Sequence, residues 1–153
     1  NILHKVKGLL NQARIVVNNE SNIELSHHYG IENLSNTGAV LIDCINQEYC
    51  KKILVMIPNQ VHPEHYHIKK KESFQILWGD LELKLNSVKM QLKAGDIVTV
   101  DKMEKHSFST QNGVVFEEVS TTAFSNDSVY TDEKINKIKN RKTSLRDHWG
   151  RNF

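Results

Sequence analysis

The sequence predicts an all-β fold, an antiparallel sandwich or barrel with short helices flanking it at both ends. Two observations carry this expectation. From Ala39 onward, short apolar runs ("AVLIDCI", "CKKILVMI", "SFQILW", "LELKL", "VKMQL", "DIVTV", "HSFST", "GVVFEEVS") are each closed by turn residues at about 8–12-residue spacing. One pair also reads as a hairpin: Leu81, Leu83 and Leu85 alternate against Val88, Met90 and Leu92 across the two-residue turn Asn86-Ser87.

The elements follow in order. Ile2, Leu3, Val6, Leu9 and Leu10 recur at helical spacing, so residues 2–12 predict a short amphipathic helix, weakened by Gly8. Residues 18–38, "NNESNIELSHHYGIENLSNTG", read as irregular chain with turns. The strands occupy the middle, with "PNQ" breaking the run after "CKKILVMI", and Gly79-Asp80 separating "SFQILW" from "LELKL". "TDEKINKIKN" predicts a surface helix capped by Thr131, with Asp132 and Glu133 in its first turn. The polar tail "RKTSLRDHWGRNF" is expected to lie over the surface or on a partner chain. The resulting division is an N-terminal helix and arm over 1–35, a barrel over 36–124, and a C-terminal helix and tail over 125–153.

At 153 residues the chain is one domain's worth, long enough to bury a core. Its 20 basic and 18 acidic residues are well mixed, so no nucleic-acid or membrane field is implied, and Lys69 to Lys71 is too short a run to act as a basic arm. No apolar stretch approaches membrane-span length and no signal-peptide pattern is present, which places the protein in the cytoplasm. The chain starts at Asn1 rather than Met, as expected of a piece of a longer protein. Cys44 and Cys50 flank "INQEY"; a hairpin there could set them opposite each other, but the expected state is two reduced thiols.

The chemistry gathers in "HPEHYHIKKKESFQILWG", residues 62–79. On a strand His65 and His67 point to one face, about 6.6 Å apart, close enough for both imidazoles to reach one ion. Glu72 shares strand parity with Phe74, Ile76 and Trp78, which puts a carboxylate among large apolar side chains, where it needs a cation or strong donors. His106 opens a later strand and shares a face with Phe108. His65, His67, Glu72 and His106 together make a ligand set for one divalent transition metal, Mn, Fe, Zn or Ni. Spacing alone leaves a solvated His-Lys-Glu surface loop open as the other reading.

These residues fall on two known motifs. Asn59, His65, His67, Glu72 and Gly79 match the spacing of the first cupin motif, and Gly95, Asp101, Met103, His106 and Thr110 match that of the second. Asn59, Asp101, Met103 and Thr110 depart from the residue types usual there, all outside the four ligands, and Asn59 can still serve a turn that needs positive φ. The chain therefore resembles the cupins, which implies a jelly-roll β-barrel with a bound metal. "ELSHHYGIENL", "NQEYCKKILVMIP", "HSFSTQNGVVFEEVSTT" and "NDSVYTDEKI" are further similar to the cupin domain C-terminal to some N-acylneuraminate (sialic acid) synthases, a domain related to D-lyxose isomerase. That resemblance implies a synthase domain in the same chain and an aldose–ketose isomerase acting on a small sugar or sugar acid.

Such an isomerase needs a base, an acid and a Lewis acid. Lys70, in "HxHxxKxE", is similar in position to a catalytic lysine of the lyxose isomerases. The base is one of Glu117 and Glu118; parity does not choose between them, and the "EVS" match favours Glu118. His62 has the wrong parity to join His65 and His67 and, beside Pro63, is expected at the surface, with substrate contact as the other option. His28 and Tyr29 could close one mouth of the barrel as substrate contacts. Asp127 and Arg141 gain interest only from the resemblance. Two other functions compete: a non-catalytic sugar-binding or dimerisation module of a synthase, and a non-haem iron dioxygenase. An inward Lys70–Glu118 pair would favour the isomerase and a smooth apolar barrel the dioxygenase, while a blocked mouth would favour the module. The apolar first strand and the N-terminal helix predict a homodimer.

Overall fold

The computed structural model describes residues 2–145. Helix α1 (Ile2–Ala13) leads into β1 (Asn22–Ser26), β2 (Ala39–Asn46), β3 (Tyr49–Met56), β4 (Val61–His67) and β5 (Glu72–Leu85). Then come β6 (Val88–Lys93), β7 (Ile97–Val100), β8 (His106–Ser109), β9 (Val114–Thr121), β10 (Ser128–Tyr130), helix α2 (Glu133–Asn136) and β11 (Lys142–Leu145). The strands pair antiparallel in the order β10-β4-β8-β5-β9-β3-β2-β1-β11, with β6 and β7 also on β5.

Strand β5 folds this sheet onto itself. Its first half pairs with β9 and β7, and its second half with β8 and β6. The switch comes at a register shift between Ile76 and Trp78, followed by Gly79 at φ 86°. "SFQILW" and "LELKL" are thus one strand, not two, because a bulge and a glycine let a strand bend without ending. The predicted hairpin is found residue for residue: Leu81 faces Leu92, Leu83 faces Met90 and Leu85 faces Val88. Asn86 and Ser87 both take positive φ (47° and 71°), as a two-residue type I′ turn requires.

Two apolar clusters hold the fold. The inner one lies inside the barrel and contains Leu54, Met56, Phe74, Ile76, Leu81, Leu83, Phe108 and Phe116. The outer one lies under α1, where Leu3, Val6, Leu9 and Leu10 meet Ile23, Val40, Ile42, Ile53 and Val55. Neighbours along β3 therefore serve different cores, Leu54 and Met56 inside, Ile53 and Val55 outside, which is why "ILVMI" is apolar without alternation. Each fully buried side chain of this size contributes about 1.5–3 kcal/mol.

Several expectations change. Residues 22–26 are a strand rather than irregular chain, since Ile23 and Leu25 share one face and bury it in the outer cluster, while the strand pairs with β2 and β11. Trp78 does not share a face with Phe74 and Ile76: the register shift turns it to the outer cluster. The expected ten-residue helix is the short α2, capped by the Asp132 carboxylate accepting from Lys134 N–H rather than by Thr131. The two cysteines are free thiols, as expected: Cys44 occupies the shift between Asp43 and Ile45, so Cys50 faces Asn46. The apolar strand and the N-terminal helix from which a homodimer was expected pack on each other within the chain. Residues 142–145 of the tail add β11 to the sheet edge; Trp149 and the rest lie outside the described residues.

Two glycines give opposite expectations. At Gly79 a Cβ would sit 2.2 Å from the Gly113 carbonyl oxygen at a φ that side chains resist, so Gly79→Ala should cost about 2 kcal/mol or more in urea unfolding. At Gly8 a Cβ meets nothing within 4 Å, and Gly8→Ala should add about 0.5–1 kcal/mol.

Candidate active site

One end of the barrel gathers ionisable side chains from five places. His65 and His67 alternate along β4, and β4 pairs with β8 so that His65 stands opposite His106. Glu72 begins β5, and Glu118 on β9 stands opposite Phe74. Lys70 lies in the link between β4 and β5. That link is shaped by Asp127, whose carboxylate accepts from the backbone N–H groups of Ile68 (3.1 Å), Lys69 (2.7 Å) and Lys70 (3.0 Å). Edge-on contacts among Phe74, Phe108 and Phe116, with centroids 5.1–5.6 Å apart, form the apolar wall behind the cluster.

The imidazoles are arranged as ligands. His65 Nδ1–H donates to the Pro63 carbonyl (3.0 Å) and His106 Nδ1–H to the Glu104 carbonyl (2.9 Å), which leaves Nε2 of each ring with a free lone pair. His67 Nδ1 meets Ser128 Oγ at 3.2 Å. Ligand atoms of His65, His67 and His106 all lie within 4.8 Å of one another, and all three residues are buried. Glu72 Oε1 approaches His106 Nε2 to 3.0 Å and His67 Nε2 to 3.4 Å. A carboxylate oxygen facing an imidazole lone pair is repulsive unless a cation lies between them. His106 Nε2 and both Glu72 oxygens are buried without an aligned hydrogen bond, so this donor set fits a divalent metal ion.

A cation of the chain itself sits beside them. Lys70 Nζ is 3.1 Å from Glu72 Oε2 and donates to Glu118 Oε2 at 3.1 Å, all three side chains being buried. Burial works against the charged lysine, but Glu118 and Glu72 outweigh it and raise its pKa. Burial also works against a charged Glu72, yet the Lys70 ammonium above all holds its pKa well below the ordinary range. For Glu118, burial and the charge of Glu72 prevail over Lys70 and Lys52, and its pKa rises. His65 is pushed well below 6.5 by burial and the neighbouring histidines.

The choice between the two glutamates is resolved spatially: Glu118 faces the barrel, whereas Glu117 turns outward to Lys51 at 3.5 Å. Lys70, open to solvent on the plain reading, is buried. His62 is not at the surface. A register shift between His62 and His65 cancels its parity and places its ring 4.8 Å from that of His65 and 4.5 Å from that of His28. His28 is fully buried and bonded to Tyr130 Oη (3.0 Å). Tyr29 is not brought to the site; it is exposed and its hydroxyl donates to Asp132 (2.5 Å). Arg141 donates to the carbonyls of Ile135 and Ile138 and stacks 5.2 Å from Tyr130, a bracing role. Lys52 and Tyr130 also line the cavity and had no motif to reveal them; Lys52 could have been found only from its cross-strand position opposite Glu118.

Residues 52–116 match the family model described as a cupin domain. The barrel has the cupin fold. Over 168 aligned positions the chain is 27% identical to a D-lyxose/D-mannose isomerase of Thermosediminibacter oceani, covering 90% of this chain and 92% of that protein. It is 26% identical to a D-lyxose ketol-isomerase of Cohnella laeviribosi, over 72% of this chain and 76% of that one. Among solved structures, the L-ribose isomerase of Cellulomonas parahominis with L-ribose superposes with a TM-score of 0.69 at 15% identity, covering 88% and 91% of the two chains. This last likeness is one of fold.

His28 gives the barrel a defined acid sensitivity. Burial, then the positive charge of Arg141, lowers its pKa from 6.5 to about 3. Between those values the unfolded chain binds a proton that the folded chain refuses. Stability is therefore full above pH 6.5 and declines as pH falls toward 3, at about 1.4 kcal/mol per pH unit for one such group. In urea unfolding of metal-free protein at pH 6, 5 and 4, His28→Gln should flatten the slope by about that amount. An unchanged slope would place the histidine's titration in the folded state.

Proposed function

We propose that this cupin is a metal-dependent sugar isomerase, interconverting an aldose and its ketose of the D-lyxose type. The observation that carries the reading is the buried Lys70–Glu118 pair beside the three histidines. A divalent transition metal held by His65, His67, His106 and Glu72 would polarise two adjacent sugar oxygens as a Lewis acid.

The chain's own residues do the rest. Glu118 takes the proton from C2 of the open-chain aldose and returns it to C1, while the proton of the 2-hydroxyl passes to O1; its raised pKa brings Glu118 toward the neutral range that such a reversible transfer needs. Lys70 holds Glu118 in place through its 3.1 Å hydrogen bond and puts a fixed positive charge where negative charge builds on the sugar oxygens. Asp127 fixes the backbone that carries Lys70. The wall of Phe74, Phe108 and Phe116 keeps bulk water from this end of the barrel. A dioxygenase would require no such pair, and neither would a passive binding module. The resemblance to synthase-borne cupins adds a place in nonulosonic acid metabolism, beside a synthase domain, and assembly as a homodimer through a surface other than the face that α1 covers.

The test is proton exchange. Manganese-loaded protein in deuterated water, with aldoses, ketoses and N-acyl hexosamines followed by NMR, should introduce deuterium at C2 and form the paired ketose. Glu118→Gln should keep its metal, read by elemental analysis, and lose about 10²–10⁴-fold in rate. Full metal loading with no exchange on any sugar would sink the isomerase in favour of the module. Separately, His106→Ala should lower bound metal per chain after dialysis, whereas Glu117→Gln should not; equal loading of both would remove His106 from the ligand set.

A further inference from the structure

The cavity at the histidines is about 60 Å³, well under the range of about 300–1,000 Å³ usual for a small-molecule site. An open-chain pentose, with ten non-hydrogen atoms, extends beyond it. Lys52 and Lys142 line this cavity and also a second one of about 440 Å³, and the two together fall within the range of about 300–1,000 Å³ usual for small-molecule sites.

The second cavity has a definite chemistry. Each of its two carboxylates has one oxygen engaged: Glu24 Oε1 with Lys142 Nζ at 3.5 Å, and Asp43 Oδ2 accepting from Asn22 Nδ2 at 3.1 Å. The other oxygen of each, Glu24 Oε2 and Asp43 Oδ1, is buried and accepts no hydrogen bond, with Lys52 Nζ no nearer than 3.9 and 3.7 Å. Two ammoniums, Lys52 and Lys142, balance two carboxylates that are short of hydrogen-bond donors, so the cavity suits a neutral donor rather than an anion. Hydroxyl groups are such donors; a phosphate or carboxylate is not.

Resting on the isomerase reading, we infer that this cavity is the subsite for the far end of the substrate, where Glu24 and Asp43 receive the distal hydroxyls of an unphosphorylated sugar. These two residues then set specificity without touching the reacting carbons. Lys52, opposite both Asp43 and Glu118 in register, forms the wall between the two compartments.

Cys44 lines the cavity and is exposed, whereas Cys50 is buried, so thiol labelling reads occupancy without catalysis. Alkylation mapped by mass spectrometry should slow at Cys44 in the presence of D-arabinitol, the reduced form of D-lyxose. A five-carbon alditol phosphate should give no protection. Glu24→Gln and Asp43→Asn, which preserve shape, should abolish the protection by D-arabinitol. In turnover, the wild type should favour an aldopentose over its 5-deoxy counterpart by about tenfold, and each variant should lose that preference by slowing only on the parent sugar. Equal protection by the phosphate, or a preference unchanged in both variants, would overturn the inference. Absence of turnover on every sugar would instead overturn the isomerase reading, and Cys44 protection would still report on the cavity by itself.

Discussion

Lys70 is the contact on which the site depends. Glu72 and Glu118 are both almost wholly removed from water, and two carboxylates so placed cannot both stay charged without a cation between them. One ammonium, 3.1 Å from each, makes the pair tenable. Breaking such a buried arrangement by removing one partner costs about 3–5 kcal/mol, so the link carrying Lys70 must be held firmly. Asp127 does this by taking three successive backbone amides, and it arrives just ahead of β10, whose pairing with β4 also seats Ser128 beside His67. The same residues thus shape the lysine link and steady a histidine.

The geometry behind this contact comes from β5. One strand supplies Glu72 at its start, Phe74 and Ile76 to the inner core, and Leu81 and Leu83 to that same core after the bend at Gly79. Because both halves of the strand line one barrel, β8 and β9 are brought to opposite sides of it, and His106 and Glu118 face a common space. The outer core under α1 stiffens β2 and β3, and β3 carries Lys52 across from Glu118.

Where strand parity held, the sequence was legible; where a register shift intervened, it was not. His65 and His67 lie on one face with no shift between them, and His106 pairs with His65 directly, so the meeting of the three histidines could be read from spacing. His62 and Trp78 each lie across a shift, and each was assigned to the wrong side. No local signal in "VHPEH" or "QILWG" announces an extra residue, since bulges are set by the partner strand. The departures from the cupin motifs were more readable. Asn59 takes φ 68°, as its residue type allows, and Met103 takes φ 68° at an exposed turn where the usual residue is glycine. Asp101, where proline is usual, uses the N–H that proline lacks to reach Glu104 at 2.8 Å. Strand β1 went unseen because its hydrogen-bond partners are the distant β2 and β11.

Glu72 and Glu118 also show how one fold gives two like groups different work. Both are buried glutamates, and both approach the same lysine. Glu72 lies beside the His106 and His67 rings as well, and its pKa falls. Glu118 feels the charge of Glu72 and has fewer partners, so its pKa rises. The group held ionised is suited to a cation, and the group pushed toward neutrality is suited to a moving proton. Exchanging their roles would require moving the imidazoles, which the paired strands β4 and β8 do not permit. The difference between the two glutamates is therefore set by which strand each ends on, not by the glutamates themselves.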